Sequence, residues 1–190
     1  MVNQNKNSQT TDRVLADSLK ALVVQKPVEK ITIKEITDKA GVIRPTFYNH
    51  FQDKYELMEW IITNELLDPI YPLISNGMVT EAMVLLFTNI QKDRVFYTKA
   101  VKMDGVITFS DVANKCVVRV LEKLFAEQCR GRHRRMPWLT TEVVASYYGQ
   151  TMCFAMMEWV KTGMNESPKQ MAEAYTYMIS HSMEEVMKEI

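Results

Sequence analysis

Residues 32–57 decide the fold, with the sequence T-I-K-E-I-T-D-K-A-G-V-I-R-P-T-F-Y-N-H-F-Q-D-K-Y-E-L. Thr32 and Glu35 form a capping-box sequence, in which each side chain satisfies a free N–H group of the first helical turn. A short helix is therefore predicted to begin there. Gly41 ends it, because glycine supplies the backbone freedom that a sharp reversal needs. A second short helix is predicted over residues 45–51.

Longer helices flank this stretch on both sides. Apolar residues at helical spacing predict a helix over residues 13–26, which ends before a proline. Another is predicted over residues 53–67, closed by Pro69 and Pro72. Residues 1–10 are almost entirely polar and are predicted to form a disordered tail.

The two short helices and the helix before them have the outline of a helix-turn-helix, whose second helix can lie in the DNA major groove. Such an outline is also common in proteins without a DNA function. Hydrogen-bond donors at the helix starts and outer faces favour DNA, because donors and exposed N–H groups suit phosphate oxygens. These donors are Thr32, Arg44, Thr46, Tyr48, Asn49, His50 and Lys54.

This stretch closely resembles the signature of the tetracycline-repressor-like (TetR/AcrR) transcriptional regulators. The matching positions are Thr32, Ile36, Ala40, Gly41, Val42, Thr46, Tyr48, His50, Phe51, Lys54 and Leu57. The match covers about the first third of the chain, and the rest agrees with the family in length and helical character. The resemblance implies an N-terminal three-helix helix-turn-helix DNA-binding domain, followed by a larger helical domain for effector binding and dimerisation.

The resemblance also implies roles for single residues. It assigns phosphate contacts to Thr32, Thr46, Tyr48, His50 and Lys54. It places Arg44 and Asn49 nearest to the base edges, where arginine to guanine is the commonest specific contact. The residues expected to pack the core of this domain are Ile36, Ala40, Val42, Phe47 and Phe51. An ordinary surface role for Tyr48 and His50 stays open.

Two residues depart from the family pattern at the start of the recognition helix. Ile43 stands where a capping Ser or Thr is usual, and isoleucine cannot cap, at a cost of about 1 kcal/mol. Pro45 disfavours helical geometry at Arg44 and suits the first helical position. The helix is therefore predicted to start at Pro45, with Arg44 outside it and one N–H donor fewer for phosphate.

The charge balance limits the kind of nucleic-acid binding that is expected. The 190 residues carry 23 Lys and Arg against 23 Asp and Glu, which excludes a polybasic coat. Residues 1–60 carry nine basic and eight acidic side chains, a net charge of +1. Attraction to DNA must then come from a local arrangement of donors, and tight binding from two subunits acting together.

The second half of the chain is predicted to contain further helices over residues 78–92 and 95–103 and from Ser110 onward. Twelve of the 14 Met residues lie beyond residue 77. Flexible thioether side chains suit a pliable ligand pocket, although an ordinary helical core is an equal alternative. Polar residues that could converge in such a pocket are Tyr97, Asp104, Tyr147 and His181.

The last two helices are predicted over residues 141–162 and 167–189, the second with the start signal Ser167, Pro168 and Gln170. The first is apolar nearly all round, so a second surface is expected to cover it. A four-helix interface between two subunits, which the resemblance also implies, meets that need. A purely intramolecular core is the alternative. The expected interface residues are Tyr148, Met152, Met156, Trp159, Met171, Tyr175, Met178 and Ser182.

Three other features carry no predicted site. The three Cys residues are far apart and are each expected to be small buried hydrophobic residues in a reducing cytoplasm. The basic run over residues 130–135 is interpreted as a solvated loop, although contact with DNA or an acidic partner stays open. Cys129 and His133 lack further ligands nearby, so no metal is expected. Residues 143–160 contain polar residues and are predicted to be a buried helix, with no membrane contact.

The sequence thus predicts an all-α protein of about nine helices, with a tail over residues 1–10, a DNA-binding domain over residues 11–55 and an effector-binding and dimerisation domain over residues 56–190. The predicted function is a cytoplasmic, dimeric transcriptional repressor that binds a palindromic double-stranded DNA operator and is released or altered by an unknown small-molecule effector. The alternative is a regulator or coactivator controlled by a protein partner. An enzyme is not expected, because no catalytic arrangement is visible, and no cofactor is predicted.

Overall fold

A computed structural model describes residues 2–131 and 136–189, with side chains from Thr10 onward. The helices are α1 (Val2–Val23), α2 (Ile33–Ala40), α3 (Arg44–His50), α4 (Lys54–Ile62), α5 (Asp68–Ser75), α6 (Val79–Lys92), α7 (Arg94–Ala100), α8 (Phe109–Gln128), α9 (Thr141–Lys161), α10 (Pro168–Ser180) and α11 (Met183–Val186). A 3-10 turn (Val28–Lys30) precedes α2. The only extended pairing among the described residues is an isolated bridge between Asp104 and Thr108. The all-α prediction is confirmed.

Helices α1 to α3 form the N-terminal unit around a shared apolar core. The fully buried side chains in it include Leu15, Leu19, Ile36 and Phe47. Phe51 is also buried, and Ala40 and Val42 pack partly buried against the same cluster. The apolar residues predicted to pack this core therefore do so.

Helix α4 continues through a π-helical segment (Thr63–Leu67) into α5, so the chain stays helical past both prolines. The predicted end of this helix at residue 67 is wrong. Proline lacks the N–H group that would bond to the carbonyl four residues earlier. For Pro69 that acceptor is the Glu65 carbonyl oxygen, which instead accepts a hydrogen bond of 3.2 Å from the Asn89 side chain.

The C-terminal helices pack in two main pairs, α8 with α9 and α6 with α10. Gly149 allows α8 and α9 to approach closely, because a Cβ atom there would lie 2.8 Å from a methyl carbon of Val118. Phe87 of α6 contacts Trp159 of α9 edge to face, with ring centroids 5.1 Å apart. Helix α4 contacts both α1 and α8 and so joins the two halves of the molecule.

Several predicted helix boundaries need correction. Helix α1 begins at Val2, so residues 2–10 are helical rather than a disordered tail; none of them is proline or glycine, which would break a helix. Helix α8 begins at Phe109 and is capped by Thr108, which forms a capping box with Asp111. The predicted cap, Ser110, therefore lies inside the first turn.

The predicted final helix over residues 167–189 is interrupted. Ser167 caps α10 and forms the expected capping box with Gln170. The backbone is extended at His181, and a second capping box, between Ser182 and Glu185, starts α11. The motif S-x-x-E at residues 182–185 is a start signal that explains the break.

The structure describes all three cysteines but only part of the basic run over residues 130–135. Cys116 and Cys153 are buried as expected, and burial raises the pKa of the Cys153 thiol to about 12. Cys129 is exposed, so the expectation that all three are buried is wrong. Residues 132–135, most of the basic run and including His133, lie outside the described residues. None of the described helices is both long and apolar enough to cross a membrane.

Candidate nucleic-acid interface

The first turn of α2 is held by a complete capping box. The Thr32 hydroxyl accepts from the Glu35 amide at 3.3 Å and donates to the Glu35 carboxylate at 2.9 Å. The same carboxylate accepts from the Thr32 amide at 2.9 Å and from the Lys26 ammonium group. Lys26 and the two Thr32 donors lower the pKa of Glu35 to about 2. Thr32 remains exposed, so the start of α2 is fixed and accessible.

The turn between α2 and α3 is made at Gly41, as predicted. Gly41 has a φ of 69°, in the left-handed region that favours glycine. The amide of Val42 donates to the Thr37 carbonyl oxygen at 3.0 Å and closes the turn. Thr37 itself is buried, and its hydroxyl donates to the Lys34 carbonyl oxygen at 3.0 Å.

Helix α3 begins at Arg44, so the predicted start at Pro45 is wrong by one residue. Ile43 stands at the cap position without a side-chain hydrogen bond and is 69% exposed. Pro45 is the second residue of the helix. A backbone N–H group at this position has no acceptor inside the helix, so proline removes no helical hydrogen bond there. The departures from the family pattern thus leave α3 formed but without a side-chain cap.

The outer face of α3 carries the predicted base-reading residues. Arg44 and Asn49 are exposed, and Tyr48 is 50% exposed. The Arg44 guanidinium group donates to the Tyr48 hydroxyl at 3.2 Å and lies 5.9 Å from the Tyr48 ring centre. On the inner face, buried Phe47 anchors the helix. Arg44, Tyr48 and Asn49 therefore form one polar surface that a DNA groove could meet, and Thr46 is half-buried beside it.

His50, the last residue of α3, is bound by a side chain of α1. Its Nδ1 atom lies 2.6 Å from the Asp12 carboxylate of α1, and both side chains are largely buried, with exposures of 17% and 16%. The His50 ring also lies against the ring of Phe51. This pair fixes the end of α3 to α1.

Lys54 was predicted to hold a phosphate, but all three of its N–H donors are used within the protein. They bond to the backbone carbonyl oxygens of Val28 at 2.7 Å, Glu29 at 2.9 Å and Ile31 at 2.9 Å. Burial lowers the pKa of Lys54. This geometry favours a structural role, in which Lys54 holds the 3-10 turn before α2.

Replacing Lys54 with Met is expected to lower the free energy of unfolding by about 2 kcal/mol, because it leaves three carbonyl groups without their donor. Urea denaturation measures the effect. Lys34→Met is the matched control, because Lys34 is exposed and its one ion pair among the described residues is with Asp38; it should cost less than about 0.5 kcal/mol. Equal urea midpoints for the Lys54→Met variant and the wild type would rule out the structural role.

Two groups of ion pairs connect the N-terminal unit and α4 to the C-terminal helices. Lys20 of α1 donates to Glu65 at 2.7 Å and also binds Asp93. Glu59 of α4 accepts from Lys115 at 2.5 Å and from Arg119 at 3.2 Å, both on α8. These pairs are not predictable from the sequence, because the partners are 45 to 73 residues apart and no local spacing signals them.

The predicted interface residues fall into three sets, one of which lines a groove of about 740 Å³ between α9 and α10. The residues that line the groove are Tyr148, Trp159, Met171, Tyr175 and Met178. Met152 and Met156 are buried within the subunit and do not line the groove, whereas Trp159 and Tyr175 are buried and do line it. Ser182 is exposed at the cap of α11. Phe154, which is not among the predicted interface residues, also lines the groove and is 69% exposed.

The four predicted effector-binding residues are not brought together. Tyr147 and His181 line the α9–α10 groove, whereas Tyr97 and Asp104 do not. Tyr97 is fully buried, and its hydroxyl has no hydrogen-bond partner among the described residues. Burial, with nearby Glu65 and Asp93, raises its pKa well above the ordinary value. Asp104 is exposed on the loop between α7 and α8.

Two family models match the sequence. Residues 16–61 match bacterial regulatory proteins of the tetR family, and residues 78–181 match a transcriptional regulator C-terminal region of the same group. The HTH-type dhaKLM operon transcriptional activator DhaS of Lactococcus lactis is 28% identical over 99 residues, 52% of this chain and 53% of that protein. The chain thus aligns with about half the length of this curated relative.

Solved structures extend the similarity of fold to most of the chain. The dihydroxyacetone kinase operon activator DhaS superposes with a TM-score of 0.60 at 21% identity, over 89% of this chain and 93% of that chain. NalD of Pseudomonas aeruginosa, the secondary repressor of the MexAB-OprM multidrug efflux pump, gives a TM-score of 0.56 at 20% identity, over 90% and 93%. At these identities the two structures show a shared fold.

Proposed function

The chain belongs to the TetR family of transcriptional regulators, and from this premise we propose that it is a homodimeric repressor that binds a palindromic operator through α3 of each subunit. The observation that carries the proposal is the polar outer face of α3, where Arg44, Tyr48 and Asn49 are exposed on a helix anchored by buried Phe47. A helix of this kind can enter the major groove while its partner helix crosses the backbone.

The proposed contacts follow from exposure and donor chemistry. Arg44 and Asn49 read base edges, since arginine pairs with guanine and asparagine with adenine. Thr32, Thr46, Tyr48 and His50 contact phosphates, which position the helix without reading sequence. The structure supports a different role for Lys54, whose ammonium donors are already used.

The proposed dimer forms through α9 and α10. Tyr147 and Phe154 on α9 and Met178 on α10 are half or more exposed along the groove, although they are large and apolar or aromatic. Exposed apolar patches of this kind mark protein interfaces. A two-fold interface here makes a four-helix bundle from two copies of the pair and presents two α3 helices, which two half-sites about 34 Å apart would receive.

The proposed effector acts on the C-terminal helices and alters the spacing of the two α3 helices. The ion pairs of Lys20 with Glu65 and Asp93, and of Glu59 with Lys115 and Arg119, support this coupling, because they transmit a shift of α7 or α8 to α1 and α4. Of the predicted effector residues, Tyr97 has the strongest support, since its hydroxyl is buried beside this cluster and finds no hydrogen-bond partner in the described part of the chain.

A second candidate function is activation of transcription under the control of a protein partner. The observation in its favour is the similarity to DhaS, a protein named as an operon activator, over most of both chains. In this case the exposed groove residues would receive a protein partner as well as, or instead of, a second subunit.

Footprinting on the DNA upstream of the protein's own gene tests DNA binding and operator symmetry together. We expect protection of two half-sites one or two helical turns apart, with loss of protection as the salt concentration rises. A reporter gene placed behind that DNA then gives the sign of regulation. Higher expression after deletion of the regulator supports the repressor, and lower expression supports the activator; the absence of any protected site would refute the proposed operator.

A further inference from the structure

The pair of Asp12 and His50 places a carboxylate at the end of the proposed recognition helix. The Nδ1 atom of His50 lies 2.6 Å from an Asp12 oxygen, and the two residues are 38 positions apart. Among the described residues, Asp12 is the charged residue that contacts the His50 ring, and Phe51 is the aromatic residue that contacts it. The ring is thus held on two sides, and its Nδ1 edge is occupied.

Hydrogen-bond chemistry then determines which ring nitrogen carries the proton. An ionised carboxylate only accepts hydrogen bonds, so the Nδ1 atom of His50 must donate to Asp12. In a neutral imidazole the other nitrogen, Nε2, then carries a lone pair and no hydrogen. A phosphate oxygen is also an acceptor, so neutral His50 in this tautomer has no donor to offer to DNA. Only the doubly protonated ring can donate from Nε2 while Nδ1 stays bonded to Asp12.

Charge leads to the same conclusion. A neutral ring beside an ionised Asp12 leaves a net negative charge close to the phosphates that His50 is proposed to contact. One added proton on the ring makes the pair neutral overall and places the positive group beside the DNA. DNA therefore binds the pair with a doubly protonated His50 ring more tightly than the pair with a neutral ring. By linkage, DNA binding takes up a proton.

We propose that Asp12 is a positioning residue for DNA binding, which fixes the tautomer of His50 and thereby couples operator binding to proton uptake at the end of α3. The proposal rests on the proposed phosphate contact of His50. It assigns to α1 a part in DNA recognition through a residue that does not itself contact DNA.

Operator affinity measured between pH 6 and 8 tests this role. In the wild type we expect the dissociation constant to rise with pH, by up to about tenfold per pH unit for each proton taken up. In the Asp12→Asn variant the Asn side chain can donate to Nδ1, which frees Nε2–H for the phosphate in the neutral ring. This variant should therefore show a dissociation constant that changes less than about threefold over the same range.

The Asp17→Asn variant is the matched control, because Asp17 lies on α1, is exposed and carries the same charge. It should keep the pH dependence of the wild type. A dissociation constant that depends on pH equally in the wild type and the Asp12→Asn variant would overturn the proposal, since a merely structural Asp12 would change stability and not this slope. So would wild-type binding that does not vary with pH. Absence of operator binding at every pH would instead overturn the DNA-binding assignment.

Nitrogen NMR of the His50 ring provides a measurement that does not depend on the variant. We expect the neutral ring in the free wild-type protein to show a hydrogen on Nδ1 and none on Nε2. A hydrogen on Nε2 in the neutral ring would contradict the proposed tautomer, whatever the folding of the Asp12→Asn variant.

Discussion

Replacement of Arg44 with Ala is expected to weaken operator binding by at least about 30-fold and to relax the preference for one base pair in each half-site. A bidentate arginine contact to a base edge contributes about 1–3 kcal/mol, and a two-fold operator loses it twice. Arg44 is exposed at the first position of α3, so the substitution removes no buried contact. Fluorescence anisotropy with the footprinted operator and with single-base variants measures both effects.

Tyr48→Phe is the matched control for this prediction. It removes the hydroxyl that accepts from Arg44 at 3.2 Å but keeps the ring against which the guanidinium group lies. Because Tyr48 is proposed to contact a phosphate, this variant should bind all operator sequences more weakly, by about three- to tenfold, without a change in base preference. An Arg44→Ala variant that keeps the wild-type base preference would show that Arg44 does not read a base edge.

Local spacing in the sequence was enough to predict most of the helix-turn-helix. The capping box of Thr32 and Glu35 and the left-handed turn at Gly41 both depend on residues within three or four positions of each other. Such signals are complete in the sequence, because the groups that satisfy each other are neighbours in the chain. The start of α8 carries the same kind of local signal, since Thr108 forms a capping box with Asp111, and this spacing distinguishes Thr108 from the predicted cap Ser110.

The role of Lys54 could not be predicted in the same way. Its three acceptors lie on backbone carbonyls 23 to 26 residues earlier, which approach it only after α1 and the 3-10 turn have packed against α4. The pairing of Asp12 with His50 was likewise not predictable from local spacing, because the two residues are 38 positions apart. A motif identifies which side chains stand near a site, whereas the partner of each donor depends on the tertiary fold.

The inward and outward faces of α9 were also not distinguishable from sequence. The helix is apolar nearly all round, so periodicity alone assigns no face to solvent. In the structure, Met152 and Met156 point into the subunit, and Tyr147 and Phe154 are exposed. On α9 the dimer proposal therefore rests on these exposed aromatic residues and not on Met152 and Met156.

Replacement of Phe154 with Arg is expected to convert the dimer to a monomer at micromolar concentration and to reduce operator affinity by about 100-fold or more. Phe154 is 69% exposed and lines the α9–α10 groove, so within one subunit the charged side chain meets solvent and costs little stability. In the proposed dimer the same residue is covered, and an unpaired buried charge is strongly destabilising. Sedimentation velocity measures the loss of the dimer, and anisotropy measures the loss of affinity.

The reduction in affinity follows from linkage between the two half-sites. When two subunits are joined, the second α3 binds at a high effective concentration, which raises affinity by about 10² to 10⁴ over one subunit alone. Val106→Arg is the matched control, because Val106 is fully exposed on the loop between α7 and α8 and does not line the groove. It should remain dimeric and bind the operator normally. A Phe154→Arg variant that sediments as a dimer would exclude this groove as the interface, and a monomer with full operator affinity would exclude the requirement for two subunits.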